Sequence, residues 1–143
     1  MSARRVLLFD VDGVLADFVL GFTTLGHKLF DTPITDTMHQ PARDIFPGLS
    51  DEQVAVIWEH VALADGFWYN LYALPTDAER KALSFLAQKH ETYFVTARKG
   101  PANVQKQTAN WLSDALTIYQ PQVIISSKKA TIGQYIISGS LAN

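Results

Sequence analysis

The chain has 143 residues, of which 48% are hydrophobic and 11% aromatic, so it can form one domain with a single packed core. Its net charge of −2 gives no long-range attraction for nucleic acid polymers or anionic membranes, and neither is an expected partner. Because cysteine is absent, disulfides and thiolate metal sites are excluded, and a metal ion would need oxygen or imidazole ligands.

The N-terminal segment predicts a buried strand. Residues 6–9 form an apolar run that Asp10 and Asp12 interrupt, which is too short for a secretory signal, so we expect a cytoplasmic protein. A continuous apolar run is typical of a strand buried on both faces of a parallel sheet, with Asp10 at its carboxyl end. An Asp-Gly pair between apolar runs is also typical of a hairpin, so two antiparallel strands around Gly13 are the alternative.

Two stretches with helical spacing follow. The first begins at Phe18 and ends before Pro33, and residues 31–49 after it are expected to be a connecting loop. The second begins with a capping box of Ser50 and Gln53 and should end near residue 66. The residues expected on the two apolar faces are Phe18, Phe22, Leu25 and Leu29, then Val54, Ile57, Trp58 and Val61.

Helices and strands alternate in the rest of the chain, which predicts a parallel sheet and an α/β fold. The predicted elements are a helix from the capping box of Thr76 and Glu79 to about His90, a strand at 93–96, a helix opened by Gly100 and Pro101, and a strand at 123–125. Residues 17–75 are too long for an ordinary crossover. We therefore expect an α/β core of residues 1–16 and 76–143, with 17–75 inserted as a helical cap over the strand ends.

Polar residues occur at the carboxyl end of each predicted strand, where ligands bind in open α/β sheets. Asp10 could attack phosphorus, and Asp12 could exchange protons with the leaving oxygen and with water. A divalent cation such as Mg²⁺ would offset the repulsion between carboxylate and phosphate. Thr96 and the N–H after it could donate to phosphate, and Lys129 could supply positive charge.

Each of these residues also has a purely structural interpretation. Thr96 could be an ordinary strand-end residue, Arg98 part of a solvated loop, and Lys128 with Lys129 a charge pair at a helix start. Trp58 and Trp111 are expected in the core, and the four histidines at the surface or half-buried. Of the three consecutive aromatics at 67–69, one or two could line a pocket or pack between cap and core.

Residues 9–18, FDVDGVLADF, resemble motif I of the haloacid dehalogenase superfamily, in the form seen in 5′(3′)-deoxyribonucleotidases. Residues 94–98, FVTAR, resemble motif II, and residues 125–129, ISSKK, resemble motif III. Residues 47–50, 57–59, 67–68 and 74–75 resemble the cap region of the same family. The resemblance extends over most of the chain and implies a Rossmann-like three-layer core with a parallel sheet and a small helical cap after strand 1.

The resemblance also implies a function. Members of the family remove phosphate from nucleoside monophosphates, so a nucleotide or another phosphomonoester is the expected substrate and Mg²⁺ the expected cofactor. By this resemblance Asp10, Asp12 and Lys129 are catalytic, with Asp10 as the nucleophile and Asp12 as the acid and base. The Asp10 carboxylate and the Asp12 backbone carbonyl would hold the metal. Thr96, Ala97 and Arg98 would bind phosphate, and Phe18 and Trp68 would contact the base or sugar.

One departure from the family concerns its fourth motif, an acidic pair that completes the Mg²⁺ site. No Asp or Glu follows Asp114 in this chain, so the motif is either lost or beyond the end of the sequence. Asp17 or a second chain could compensate. The alternatives to an active nucleotidase are a nucleotide-binding protein with little or no turnover, an incomplete chain, and a structural protein that oligomerises through an uncovered sheet edge.

Overall fold

The computed structural model describes residues 5–39, 45–64, 66–98 and 103–126. In this part of the chain, helices and strands alternate largely as the sequence predicts. The elements in order are β1 (Val6–Asp10), α1 (Phe18–Phe30), a 3₁₀ turn (Thr37–His39), α2 (Asp51–Leu63), α3 (Asp77–Lys89), β2 (Glu91–Thr96), α4 (Val104–Leu116) and β3 (Gln122–Ile125).

The strands form a parallel sheet in the order β1-β2-β3, which confirms the predicted α/β fold. Asp10 pairs with Val95, and Thr96 pairs with Ile125, so the carboxyl ends of the three strands lie along one edge. The hairpin alternative is wrong, because β1 pairs in parallel with β2 and Gly13 belongs to a turn after the strand. The part of the chain that is described is therefore a small Rossmann-like core.

β1 is less buried than the sequence predicts. Leu8 is 38% exposed, whereas a strand covered on both faces was expected. Among the described elements, α3 packs on β2 and α4 packs on β3, so the helices cover the centre and far side of the sheet more than β1.

Capping side chains define where the helices begin. Both predicted capping boxes are confirmed, at Ser50 with Gln53 and at Thr76 with Glu79. In the second box the hydrogen bonds from Thr76 lower the pKa of Glu79. α2 ends at Leu63, three residues before the expected end. Gly100 and Pro101, expected to open α4, lie outside the described residues.

The core joins the helices of the 17–75 segment to the sheet. Its most buried large side chains include Ile57, Trp68, Phe94 and Trp111, each exposed by 1% or less. The prediction of a core Trp111 is confirmed, but that of a core Trp58 is wrong, since Trp58 is 40% exposed. Ile57 and Val61 occupy the buried centre of the α2 face, and Trp58 lies at its margin against Phe18 and Phe22.

The remaining expectations concern surface residues and loops. Three of the histidines, His27, His39 and His60, are exposed and His90 is half-buried, as predicted. The expected loop at 31–49 is confirmed over its described residues, apart from the 3₁₀ turn. None of the helices in the described ranges is long and apolar enough to cross a membrane.

Candidate active site

The ends of β1 and β2 bring the predicted polar residues together. Asp10 is the last residue of β1, and Asp12 lies two residues beyond it in the following turn. Thr96, the last residue of β2, is fully buried and its hydroxyl donates to Asp12 Oδ2 at 3.0 Å. Residues 84 positions apart in sequence thus share one hydrogen bond at the edge where the sequence predicts a site.

Arg98 makes the closest ionic contact in this site. Its Nη2 donates to Asp12 Oδ1 at 2.9 Å, and its Nε donates to Oδ1 at 3.2 Å and to Oδ2 at 3.0 Å. The side chain of Arg98 is 0% exposed and that of Asp12 is 23% exposed. The interpretation of Arg98 as a solvated loop residue is therefore wrong. A guanidinium buried to this extent needs a hydrogen-bonded anion, because desolvating an unpaired charge is costly.

The other side of the Arg98 guanidinium is also held. Its Nη1 donates to Thr108 Oγ1 at 2.8 Å, and that hydroxyl donates in turn to the Val104 carbonyl within α4. The guanidinium carbon lies 4.5 Å from the ring centre of Trp68, which is a cation–π contact. Arg98 thus connects Asp12 to α4 and to the 17–75 segment. Sequence reasoning did not find these contacts, because no local pattern links positions so far apart.

The turn after β1 fixes the backbone that carries Asp12. The Val11 carbonyl accepts from the N–H groups of Leu15 and Ala16 at 2.8 and 2.9 Å, and Gly13 N–H donates to the Ala16 carbonyl at 2.9 Å. Gly13 has a φ of 80°, a conformation that side chains disfavour. This turn makes the position of Asp12 relative to β1 well defined.

The two ends of the 17–75 segment meet beside the same turn. Asp17 N–H donates to the Tyr72 carbonyl and Leu74 N–H donates to the Leu15 carbonyl, both at 2.8 Å. The side chain of Asp17 caps α1 by accepting from Leu20 N–H, and it also accepts from the backbone and hydroxyl of Thr37. All three bonds end on Oδ1 of Asp17, so this oxygen is engaged at the start of α1, and a role of Asp17 at the metal stays a prediction.

Phe18 and Trp68, the two aromatic residues predicted to contact the base or sugar, lie next to each other. Their rings stack with centres 5.7 Å apart, and Phe18 also stacks on Trp58 at 5.8 Å. Trp68 is 1% exposed, and its Nε1 is buried without a hydrogen bond to any of the described residues. An unpaired buried donor is uncommon in folded proteins. Contact of either ring with substrate remains a prediction.

The chemistry of the donors at this edge is compatible with Mg²⁺. The Asp10 carboxylate and the Asp12 backbone carbonyl are oxygen ligands, which Mg²⁺ prefers, and this ion usually keeps several waters and binds substrate phosphates. No group of three or more acidic or histidine side chains that could hold a metal occurs among the described residues. Among the described residues, Asp10 and Asp12 would therefore hold the ion. Lys129, the predicted third catalytic residue, lies outside the described residues.

Comparison with known proteins identifies one matching family. The model of the family described as 5′ nucleotidase, deoxy (pyrimidine), cytosolic type C protein matches residues 4–143. No curated protein matches the chain. The match spans both strand ends of the site and the segment that contains Lys129.

Proposed function

The chain belongs to the family of cytosolic deoxy-pyrimidine 5′-nucleotidases, and we propose that it uses Asp10 and Mg²⁺ to remove phosphate from a nucleoside monophosphate. This is a family of haloacid dehalogenase-type phosphatases, so the chain is a nucleotidase-type enzyme. The match over residues 4–143 carries the proposal. The family description also supports a cytoplasmic location.

In the first step of the proposed reaction, a carboxylate oxygen of Asp10 attacks the phosphorus atom of the substrate. A bond forms between Asp10 and phosphorus, and the ester bond to the nucleoside oxygen breaks. A proton carried by Asp12 passes to that oxygen, so the nucleoside leaves as a neutral alcohol. The position of Asp12 two residues after Asp10, in a turn fixed by Gly13, supports this division of roles.

In the second step, water attacks the phosphorus atom of the aspartyl phosphate. Asp12 takes a proton from the water, the bond between Asp10 and phosphorus breaks, and inorganic phosphate leaves. Asp12 regains the proton that it gave up in the first step, so the cycle closes.

Three groups would stabilise the negative charge of the phosphate. Mg²⁺, held by the Asp10 carboxylate and the Asp12 backbone carbonyl, would supply charge neutralisation. Lys129 would add positive charge, and the backbone N–H of Ala97 would donate to a phosphate oxygen. The hydroxyl of Thr96 donates to Asp12 in the structure, so Thr96 would act on phosphate chiefly by placing Ala97.

The 17–75 segment would close the substrate site as a cap on a core of residues 1–16 and 76–143. The N–H of Asp17 donates to the Tyr72 carbonyl and the N–H of Leu74 donates to the Leu15 carbonyl, so the start and the end of the segment lie side by side. Adjacent ends support the interpretation of the segment as an insertion. Phe18 and Trp68 would contact the base or sugar. The Nε1 of Trp68, which is buried and has no hydrogen-bond partner within the described ranges, supports a polar contact there.

A second candidate is a nucleotide-binding protein with little turnover. The observation that favours it is that no group of three or more acidic or histidine side chains able to hold a metal lies together in the described part of the chain. Such a protein would bind nucleoside monophosphates without releasing phosphate.

The deciding measurement is phosphate release from a panel of nucleoside monophosphates, with and without Mg²⁺. We expect Mg²⁺-dependent turnover that Asp10→Asn abolishes, while Asp31→Asn retains it. Asp31 is a suitable control because its side chain is 94% exposed and its left-handed backbone is one that asparagine accepts readily. Binding without turnover in the folded wild type would establish the second candidate instead.

A further inference from the structure

The carboxylate of Asp12 has most of its hydrogen-bonding capacity occupied. A carboxylate offers about four lone-pair positions. Among the described residues, three donor groups occupy about three of them: Nε of Arg98, which is shared between the two oxygens, Nη2 of Arg98 and the hydroxyl of Thr96. About one position remains for a proton exchanged with substrate or water. The donors around Asp12 therefore restrict the direction from which that proton can come.

Arg98 is itself held in place by contacts that engage each of its three side-chain nitrogens. Two of its three nitrogens donate to Asp12 and the third donates to Thr108, while Trp68 lies against one face of the guanidinium. Its side chain is 0% exposed. A phosphate-binding arginine must present free N–H groups to the ligand, and this guanidinium is enclosed and directed at a carboxylate.

We propose that Arg98 is a positioning residue, which orients the Asp12 side chain so that the proton it carries in the first step faces the leaving oxygen, instead of binding phosphate. This inference rests on the proposed function. Trp68 and Thr108 hold the Arg98 guanidinium in place, and the guanidinium in turn holds the Asp12 carboxylate. The hydroxyl of Thr96 adds a further bond to Oδ2 of Asp12. The acid and base of the reaction is thereby oriented before substrate arrives, and its orientation depends on the 17–75 segment through Trp68.

The effect of a misoriented Asp12 depends on the leaving group. A nucleoside oxygen needs a proton to leave, so its departure depends on a well-oriented Asp12. The nitrophenolate of p-nitrophenyl phosphate leaves without a proton at neutral pH. A misoriented Asp12 should therefore slow the first reaction much more than the second, whereas general damage to the site would slow both alike.

The test measures kcat/KM of wild type and Arg98→Lys on a nucleoside monophosphate and on p-nitrophenyl phosphate, with Mg²⁺. Lysine keeps the charge but lacks the planar fork that grips both carboxylate oxygens. We expect kcat/KM for the nucleotide to fall by about 10²-fold or more, and that for the aryl ester by less than about 10-fold. Arg80→Lys, at a second Asp–Arg pair away from the site, should leave the ratio of the two values unchanged.

Thr108→Val provides a milder variant should Arg98→Lys fold poorly. Valine keeps the shape of threonine but removes the acceptor of Arg98 Nη1. We expect kcat/KM to fall several-fold on the nucleotide and to change hardly at all on the aryl ester. Equal losses on both substrates in either folded variant would overturn the positioning role. Absence of turnover on both substrates in wild type would instead overturn the proposed function.

Discussion

Two Asp–Arg pairs in this protein have similar distances and opposite surroundings. Arg98 and Asp12 are 86 residues apart, with a closest contact of 2.9 Å and side-chain exposures of 0% and 23%. Arg80 and Asp77 are three residues apart on α3, with a contact of 2.7 Å and exposures of 39% and 90%. The shorter contact belongs to the exposed pair, so distance alone does not measure what each pair contributes.

The difference lies in what happens when one partner is removed. Around Arg80 and Asp77, water replaces a lost partner, and the pair contributes at most a small stabilisation. Around Arg98, water has no access to the side chain, so a lost partner leaves a charge buried and unpaired. The local pair joins two residues of one helix, whereas the long-range pair joins the turn after β1 to the end of β2. The buried pair therefore depends on the assembled site.

The largest expected effect comes from removing the aspartate of each Asp–Arg pair. Asp12→Ala should lower the free energy of unfolding by about 3–5 kcal/mol, because it removes the carboxylate that pairs with the buried Arg98 guanidinium. Asp77→Ala should lower it by less than about 1 kcal/mol. Urea denaturation of both variants beside wild type measures the two values. Equal losses in the two variants would show that burial does not separate the pairs.

A smaller effect concerns the residue behind the buried pair. Thr108→Val should lower the free energy of unfolding by about 1–2 kcal/mol, since Arg98 Nη1 loses its acceptor. Thr24 is a matched control, because it makes the same hydroxyl bond to the carbonyl four residues earlier but is exposed. Thr24→Val should change stability by less than about 0.5 kcal/mol. Similar losses would mean that Thr108 stabilises its own helix and not Arg98.

Local patterns predicted most of the fold. The capping boxes at Ser50 and Thr76 were predictable because each depends on two residues three positions apart. The parallel sheet was predictable because apolar runs alternate with helical periods. Trp58 was misplaced for a related reason: helical spacing identifies an apolar face, but it does not tell which residues of that face reach the centre of the core.

The candidate site was predictable only in part. The sequence placed Asp12, Thr96 and Arg98 at neighbouring strand ends, since parallel strands end along one edge. It could not show that Arg98 points at Asp12, because a long side chain at a strand end can turn towards solvent or inward. Nor could it show that Trp68 lies against the guanidinium, since that contact depends on how the 17–75 segment packs on the core.

The smallest effect concerns a third polar contact, which is long-range like the buried pair but exposed like the local one. The Tyr69 hydroxyl donates to Asp114 at 2.5 Å, linking the 17–75 segment to α4. This hydrogen bond, together with the negative charge of Asp114, raises the pKa of Tyr69 above 10.0. A raised pKa in the folded state means that the contact stabilises the protein fully below pH 10.0 and loses its effect as the pH rises through the folded pKa.

Urea denaturation of wild type and Tyr69→Phe should thus show a difference in stability that is constant below this range and shrinks above it. Tyr72→Phe, at a side chain 71% exposed, should show no such trend; a difference for Tyr69→Phe that is independent of pH would mean that the ring, and not its hydroxyl, makes the contribution.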